Sequence, residues 1–248
     1  MPAAAGSIDP SGTAKAAQRT ALAAVVVLLG AVNLLNNRLL PEAYVATCTL
    51  AAGLLLLLAR LDGCSWSQLG VGRGSLRSGL RWSLALVVVV LLCDAVAAAL
   101  PLTRPAFLDS RAAGLSGGEV LVRCLARIPL GTVLLEETGF RGVLYAMLAR
   151  RYRLPIAVAI SSLLFGLWHV LPSLGLQREN AAVHALFGSG PLGAAASVAA
   201  AVAGTTLAGV AFCELRRRSG SLLAPFVLHW ATGAVALLLA WKLTAAAG

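Results

Sequence analysis

Charge is what this sequence has least of. Aspartate and glutamate number ten in 248 residues, and charged residues of both signs make up only 12%. Soluble globular domains carry about 25%, so a water-facing fold lacks the side chains to cover its surface. Disorder is excluded from the other side, because 59% of the residues are hydrophobic and such a chain buries apolar surface. The five cysteines (Cys48, Cys64, Cys93, Cys124 and Cys213) show no CxxC or other ligand spacing. They are read as small core hydrophobes, with no disulfide framework. A net charge of +10 would suit nucleic acid, but the arginines cluster at the ends of apolar runs. That distribution belongs to topology determinants beside an anionic leaflet, so no nucleic-acid partner is expected.

What is present is a series of apolar runs long enough to span a bilayer. Residues 1–17 are small and polar and are expected to form a disordered cytoplasmic tail. The run 20–36 could pass for a signal peptide, but no small-x-small cleavage site follows and it is taken as a retained span. Further spans are expected at about 43–59, 82–101, 119–149, 155–175, 191–214 and 221–241. Between the second and third, residues 61–81 alternate Trp66, Leu69 and Leu76 with Arg73, Arg77 and Arg81, which suits an interfacial element. Placing that segment inside puts twelve of the 20 lysines and arginines in the cytoplasm and seven outside, with Arg141 within the membrane. The reading is an all-α polytopic bundle of seven or eight spans, multi-pass in a cell membrane, N-terminus cytoplasmic and C-terminus outside.

Ionisable residues inside such runs are costly, about 2.5–3.5 kcal/mol each on the most lenient scale. Yet the segment Leu134-Leu-Glu136-Glu137-Thr-Gly-Phe-Arg141 holds three of them. Arg141 follows Glu137 by one helical turn, so the two can pair, while Glu136 points about 100° away. His169 and His229 fall within the fifth and seventh spans. Counted from the bounding arginines at 1.5 Å per residue, Glu136, His169 and His229 lie about 21, 24 and 16 Å deep, at comparable levels. They should therefore converge on a polar cavity. Asp94, alone in its span, could reach Arg141 or cap a polar seam. His184 is expected in a solvated loop, and Glu214 beside Arg216, Arg217 and Arg218 in a surface ion pair.

A carboxylate and two imidazoles permit two chemistries. They could hold a zinc ion with a position open to water. Alternatively, Glu136 could activate water as a general base with one histidine, the other donating to an oxyanion. Both lead to hydrolysis of an acyl bond. A proton-coupled transporter would also place such groups at mid-depth, but no internal repeat supports it.

Glu136-Glu137-x-x-x-Arg141, Phe165-x-x-x-His169 and His229 four residues after Pro225 resemble, in order and spacing, the three signature motifs of the CPBP family. These are intramembrane proteases that include the CAAX-protease and Abi (bacteriocin-processing) types. The resemblance covers about 118–241; residues 18–117, with the N-terminal spans and the interfacial segment, match only in general style. It implies a CPBP domain over 118–245 that cleaves a peptide or membrane-protein substrate at the bilayer. In it Glu136 and His169 activate water, His229 serves the oxyanion, and Glu137, Arg141 and Phe165 support them. Zinc at Glu136, His169 and His229 remains the alternative. The family's usual asparagine four residues after the last histidine is Gly233 here. That departure leaves open a weak or inactive member acting as a scaffold, partner-binding or immunity protein. An Ala-, Gly- and Arg-rich composition points to a high-GC bacterium, where prenylated CAAX substrates are not expected.

Overall fold

The computed structural model describes residues 10–245, and its regular structure is all helical. Residues 1–9 of the expected tail lie outside the described residues, and helix α1 (Pro10–Leu34) reaches back into the remainder of that segment. Five helical segments are long and apolar enough to cross a membrane: Arg19–Leu39, Pro41–Leu61, Trp66–Ala99, Pro191–Ser219 and Leu223–Ala245. Their outward faces are bare leucine and valine. Leu84 and Leu207 are each 71% exposed and Val27 69%, a pattern water would not tolerate and lipid favours.

Helix α2 (Tyr44–Leu61) follows α1 after a π-helical turn at Leu35–Leu39. The segment between the second and third expected spans folds as the short α3 (Trp66–Leu69), closed by a Ser65–Gln68 capping box. Helix α4 (Leu76–Ala99) then starts earlier than the expected 82, so Arg77 and Arg81 belong to its first turns rather than to an interfacial loop.

The fourth expected span is one continuous helical rod. It begins as α5 (Gly117–Val122), runs through π-helical turns at Arg123–Val133, α6 (Leu134–Glu136) and more π turns at Glu137–Leu144, and ends as α7 (Tyr145–Ala149). Pro129 inside it supplies no N–H, which breaks α-type bonding at that turn. Every residue from Leu135 to Leu148 is buried. This rod is the hub of the bundle: α1, α2, α3, α8, α11 and α12 all pack on it.

Helix α8 (Leu154–Trp168) opens on Pro155 and ends at Trp168, short of the expected 175, so His169 caps the helix instead of lying within it. Short helices α9 (Leu176–Glu179) and α10 (Ala181–Phe187) follow. His184 is exposed as expected, but it sits on α10 rather than in a loop, with Nδ1 3.2 Å from the Gln177 carbonyl. Helices α11 (Pro191–Ser219) and α12 (Leu223–Ala245) complete the bundle. Helix α11 packs closely on α8 because Gly166 has no side chain. A Cβ there would stand 2.0 Å from Thr206 Oγ1 and 2.7 Å from the Val202 carbonyl.

Candidate active site

The rod places Glu136 and Glu137 in the buried centre of the bundle, and both face His229 of α12. His229 Nδ1 lies 2.8 Å from Glu137 Oε1, and its Nε2 is 3.8 Å from Glu136 Oε2. Glu137 is therefore shared: the same oxygen accepts from Arg141 Nη1 at 3.2 Å, both side chains being fully buried. The one-turn pairing read from the spacing is present. What the spacing did not show is that Glu137 also fixes the His229 ring, so the two adjacent carboxylates converge on one histidine.

Arg141 survives burial through its surroundings. Its guanidinium lies 3.7 Å from the Phe165 ring centroid and 4.8 Å from that of Phe212, so a flat cation is held between aromatic faces. Phe165 is the hinge of the arrangement. It meets His169 edge-on at 4.7 Å and His229 at 6.3 Å. Asp94 takes no part: it makes no ion pair among the described residues, and the carboxylate facing Arg141 is Glu137. Glu214 pairs at the surface with Arg217 and Arg218, each at 2.6 Å.

Glu136 has one satisfied oxygen and one without a partner. Oε1 accepts the indole N–H of Trp168 at 2.9 Å, whereas Oε2 has no hydrogen-bond partner. Trp168 is itself anchored, its carbonyl accepting from Asn33 Nδ2 at 2.9 Å. His169 holds its Nδ1 2.8 Å from the Phe165 carbonyl. With the proton on Nδ1, its Nε2 is left as a free acceptor. Glu136, Trp168 and His169 line a cleft of about 470 Å³, together with Asn36, Tyr44 and Thr132. The direct neighbours of Glu136 are thus Trp168 and His229, while His169 shares the cleft.

The zinc alternative is not met by this donor set. Among the described residues no three His, Cys, Asp or Glu side chains come together to hold an ion. One imidazole nitrogen is occupied by Glu137 and another lies against a backbone carbonyl.

Trp168, Phe212, Asn33 and Tyr44 were not singled out from the sequence. Asn33 and Asn36 did carry a signal, as amides inside an apolar run. Trp168 carried its own by standing beside a motif histidine. Gly233 leaves the expected asparagine position without a donor; the nearest atom to a Cβ there would be Ile128 Cγ2 at 3.4 Å. Thr232 does not replace it, because its hydroxyl is bonded 2.9 Å back to the His229 carbonyl.

Two buried carboxylates and a buried cation beside two histidines inside an apolar helical bundle mark a functional site. Residues 119–235 match the family described as Rce1-like, type II CAAX prenyl endopeptidase Rce1-like, a family of proteases. No curated protein and no solved structure matches the chain.

Proposed function

We propose that the protein is an endopeptidase that hydrolyses a peptide bond of a membrane-associated substrate, with Glu136 as general base. The observation that carries this reading is the partnerless Oε2 of Glu136, facing a histidine and belonging to a residue that lines an open cleft. A buried carboxylate oxygen without a partner is costly and is reserved here for water. Glu136 takes one proton from that water as its oxygen attacks the scissile carbonyl. His169 Nε2 accepts the second hydrogen bond and aims the water. His229, held through Nδ1 by Glu137, donates from Nε2 to the oxyanion when protonated, as an oriented imidazole does in other hydrolases. Collapse breaks the C–N bond, and the proton held by Glu136 passes to the leaving amine.

The rod and α8 bring the five long apolar helices to seven spans. On the charge distribution, the cleft opens on the side opposite the arginine-rich ends at 150–153 and 216–218, which makes it extracytoplasmic. Purified protein in liposomes, given membrane-tethered peptides, tests the activity: wild type cleaves and Glu136→Ala does not.

Gly233 favours a second reading, a family member that binds peptide without efficient turnover. Loss of an oxyanion donor costs about 10²–10³ in rate. Under that reading Gly233→Asn cleaves where wild type does not, because a side chain at 233 meets only Ile128 at contact distance.

A further inference from the structure

Three arginines share the cleft with Glu136: Arg111, Arg123 and Arg127. A second cavity of about 350 Å³ also touches Arg111 and Arg123, so these two stand where the cavities meet. Arg111 is already satisfied, bonding both Asp109 oxygens at 2.8 and 2.5 Å. The side chains of Arg123 and Arg127 form no ion pair or hydrogen bond among the described residues. The nearest acid on the same helix, Glu119, accepts from the N–H and hydroxyl of Ser116 through Oε2 and attracts Arg123 without a hydrogen bond to it. Arg127 lies 4.7 Å from the Tyr44 ring centroid, which steadies the guanidinium and leaves its donors without an acceptor.

The register of the rod aligns these cations with the proposed base. On an α-helix, residues 123 and 136 would point about 140° apart, from thirteen steps at 3.6 residues per turn. The π-helical bonding over Arg123–Val133 widens each turn, so rows run at spacings of four and five. Arg123, Arg127, Thr132 and Glu136 consequently all line one cleft. Extended π turns are uncommon and concentrate at functional sites. Topology does not account for these arginines, since they lie on the side opposite the main cationic clusters.

We infer that Arg123 and Arg127 form a subsite for a carboxylate of the peptide substrate; this rests on the protease reading above. Arg127 is nine residues before Glu136, at most about 13 Å along the rod. An extended peptide covers about 3.3–3.6 Å per residue, so the recognised carboxylate lies within about four residues of the cleaved bond. An acidic side chain and a free chain terminus offer the same chemistry.

The test is binding of fluorescein-labelled peptides to full-length Glu136→Gln protein in detergent, so that hydrolysis does not intrude. Four peptides differ only in Glu against Gln at one position and in a free against an amidated terminus. Tighter binding of the Glu peptide assigns the subsite to a side chain, and of the free-terminus peptide to the chain end. Adding Arg127→Gln or Arg123→Gln is expected to weaken the preferred peptide about tenfold or more, with Arg127→Lys restoring part of it. Unfolding midpoints identify any variant that fails to fold, and the other arginine then carries the test. Equal binding of all four peptides, or a preference that survives both arginine changes, overturns the inference. Wild type that cleaves neutral and acidic peptides alike retains the protease reading and discards the subsite. Wild type that cleaves nothing while the carboxylate preference depends on Arg127 does the reverse.

Discussion

Trp168 donates its indole N–H to Oε1 of Glu136 across 2.9 Å, and in doing so leaves Oε2 as the one oxygen of that carboxylate without a partner. A carboxylate free at both oxygens could rotate about its last torsion. Held at one, it presents the other in a fixed direction, and proximity effects of this kind are worth orders of magnitude in rate.

Replacing Trp168 by Phe keeps an aromatic ring beside Phe140, whose ring lies 5.7 Å away, and removes the donor together with part of the ring volume. The expected result is a fall of about tenfold or more in kcat, larger than any change in KM, since the lost hydrogen bond positions the base. Stability should drop by about 1–3 kcal/mol, the cost of an unsatisfied buried acceptor. Steady-state kinetics beside detergent-phase unfolding measure both.

The Glu137–Arg141 pair makes a different prediction. Both partners are fully buried, so Arg141→Ala removes the cation, leaves Glu137 with His229 as its one remaining partner, and opens a cavity between Phe165 and Phe212. Breaking a buried pair from one side costs about 3–5 kcal/mol. Arg141→Ala should therefore express poorly or unfold at markedly lower denaturant, whereas a rate defect alone would show the pair to be dispensable for folding.

Much of this was legible in the sequence. Glu136, Glu137, Arg141, His169 and His229 announce themselves because charge inside an apolar run is expensive, and the one-turn spacing of Glu137 and Arg141 is their geometry. Which histidine meets which carboxylate was not legible. That depends on π turns in the rod, and nothing in residues 123–144 except Pro129 signals i→i+5 bonding. The end of α8 at Trp168 was hidden for a related reason: Val170 and Leu171 continue the apolar run after the helix has stopped. The N-terminal helices matched the family only in style, yet α1 supplies Asn33 to Trp168 and α2 supplies Tyr44 to the cleft. Contacts across more than a hundred residues leave no periodicity to read.

Outside the membrane, Asp109 gives a pH prediction. Burial pushes its carboxyl up, but the side-chain and backbone hydrogen bonds from Arg111 outweigh this and hold it below the ordinary carboxylate value. A depressed folded value contributes stability above the unfolded value, near 3.9, and loses it as pH falls through the folded one. Asp109→Asn retains a capping oxygen for the Arg111 N–H. It should destabilise by less than about 1 kcal/mol at pH 7, because Arg111 is 55% exposed and screened. The difference from wild type should shrink below about pH 4, and unfolding midpoints at pH 7 and pH 3.5 check it.

The most direct measurement is the rate at which Glu136→Gln cleaves a membrane-tethered peptide that wild type cleaves, with products identified by mass. Glutamine keeps the size of the side chain and a carbonyl for the Trp168 N–H, and cannot take a proton. The account predicts a loss of about 10²–10⁴ in kcat with peptide binding intact. A Glu136→Gln variant that cleaves at the wild-type rate would contradict it.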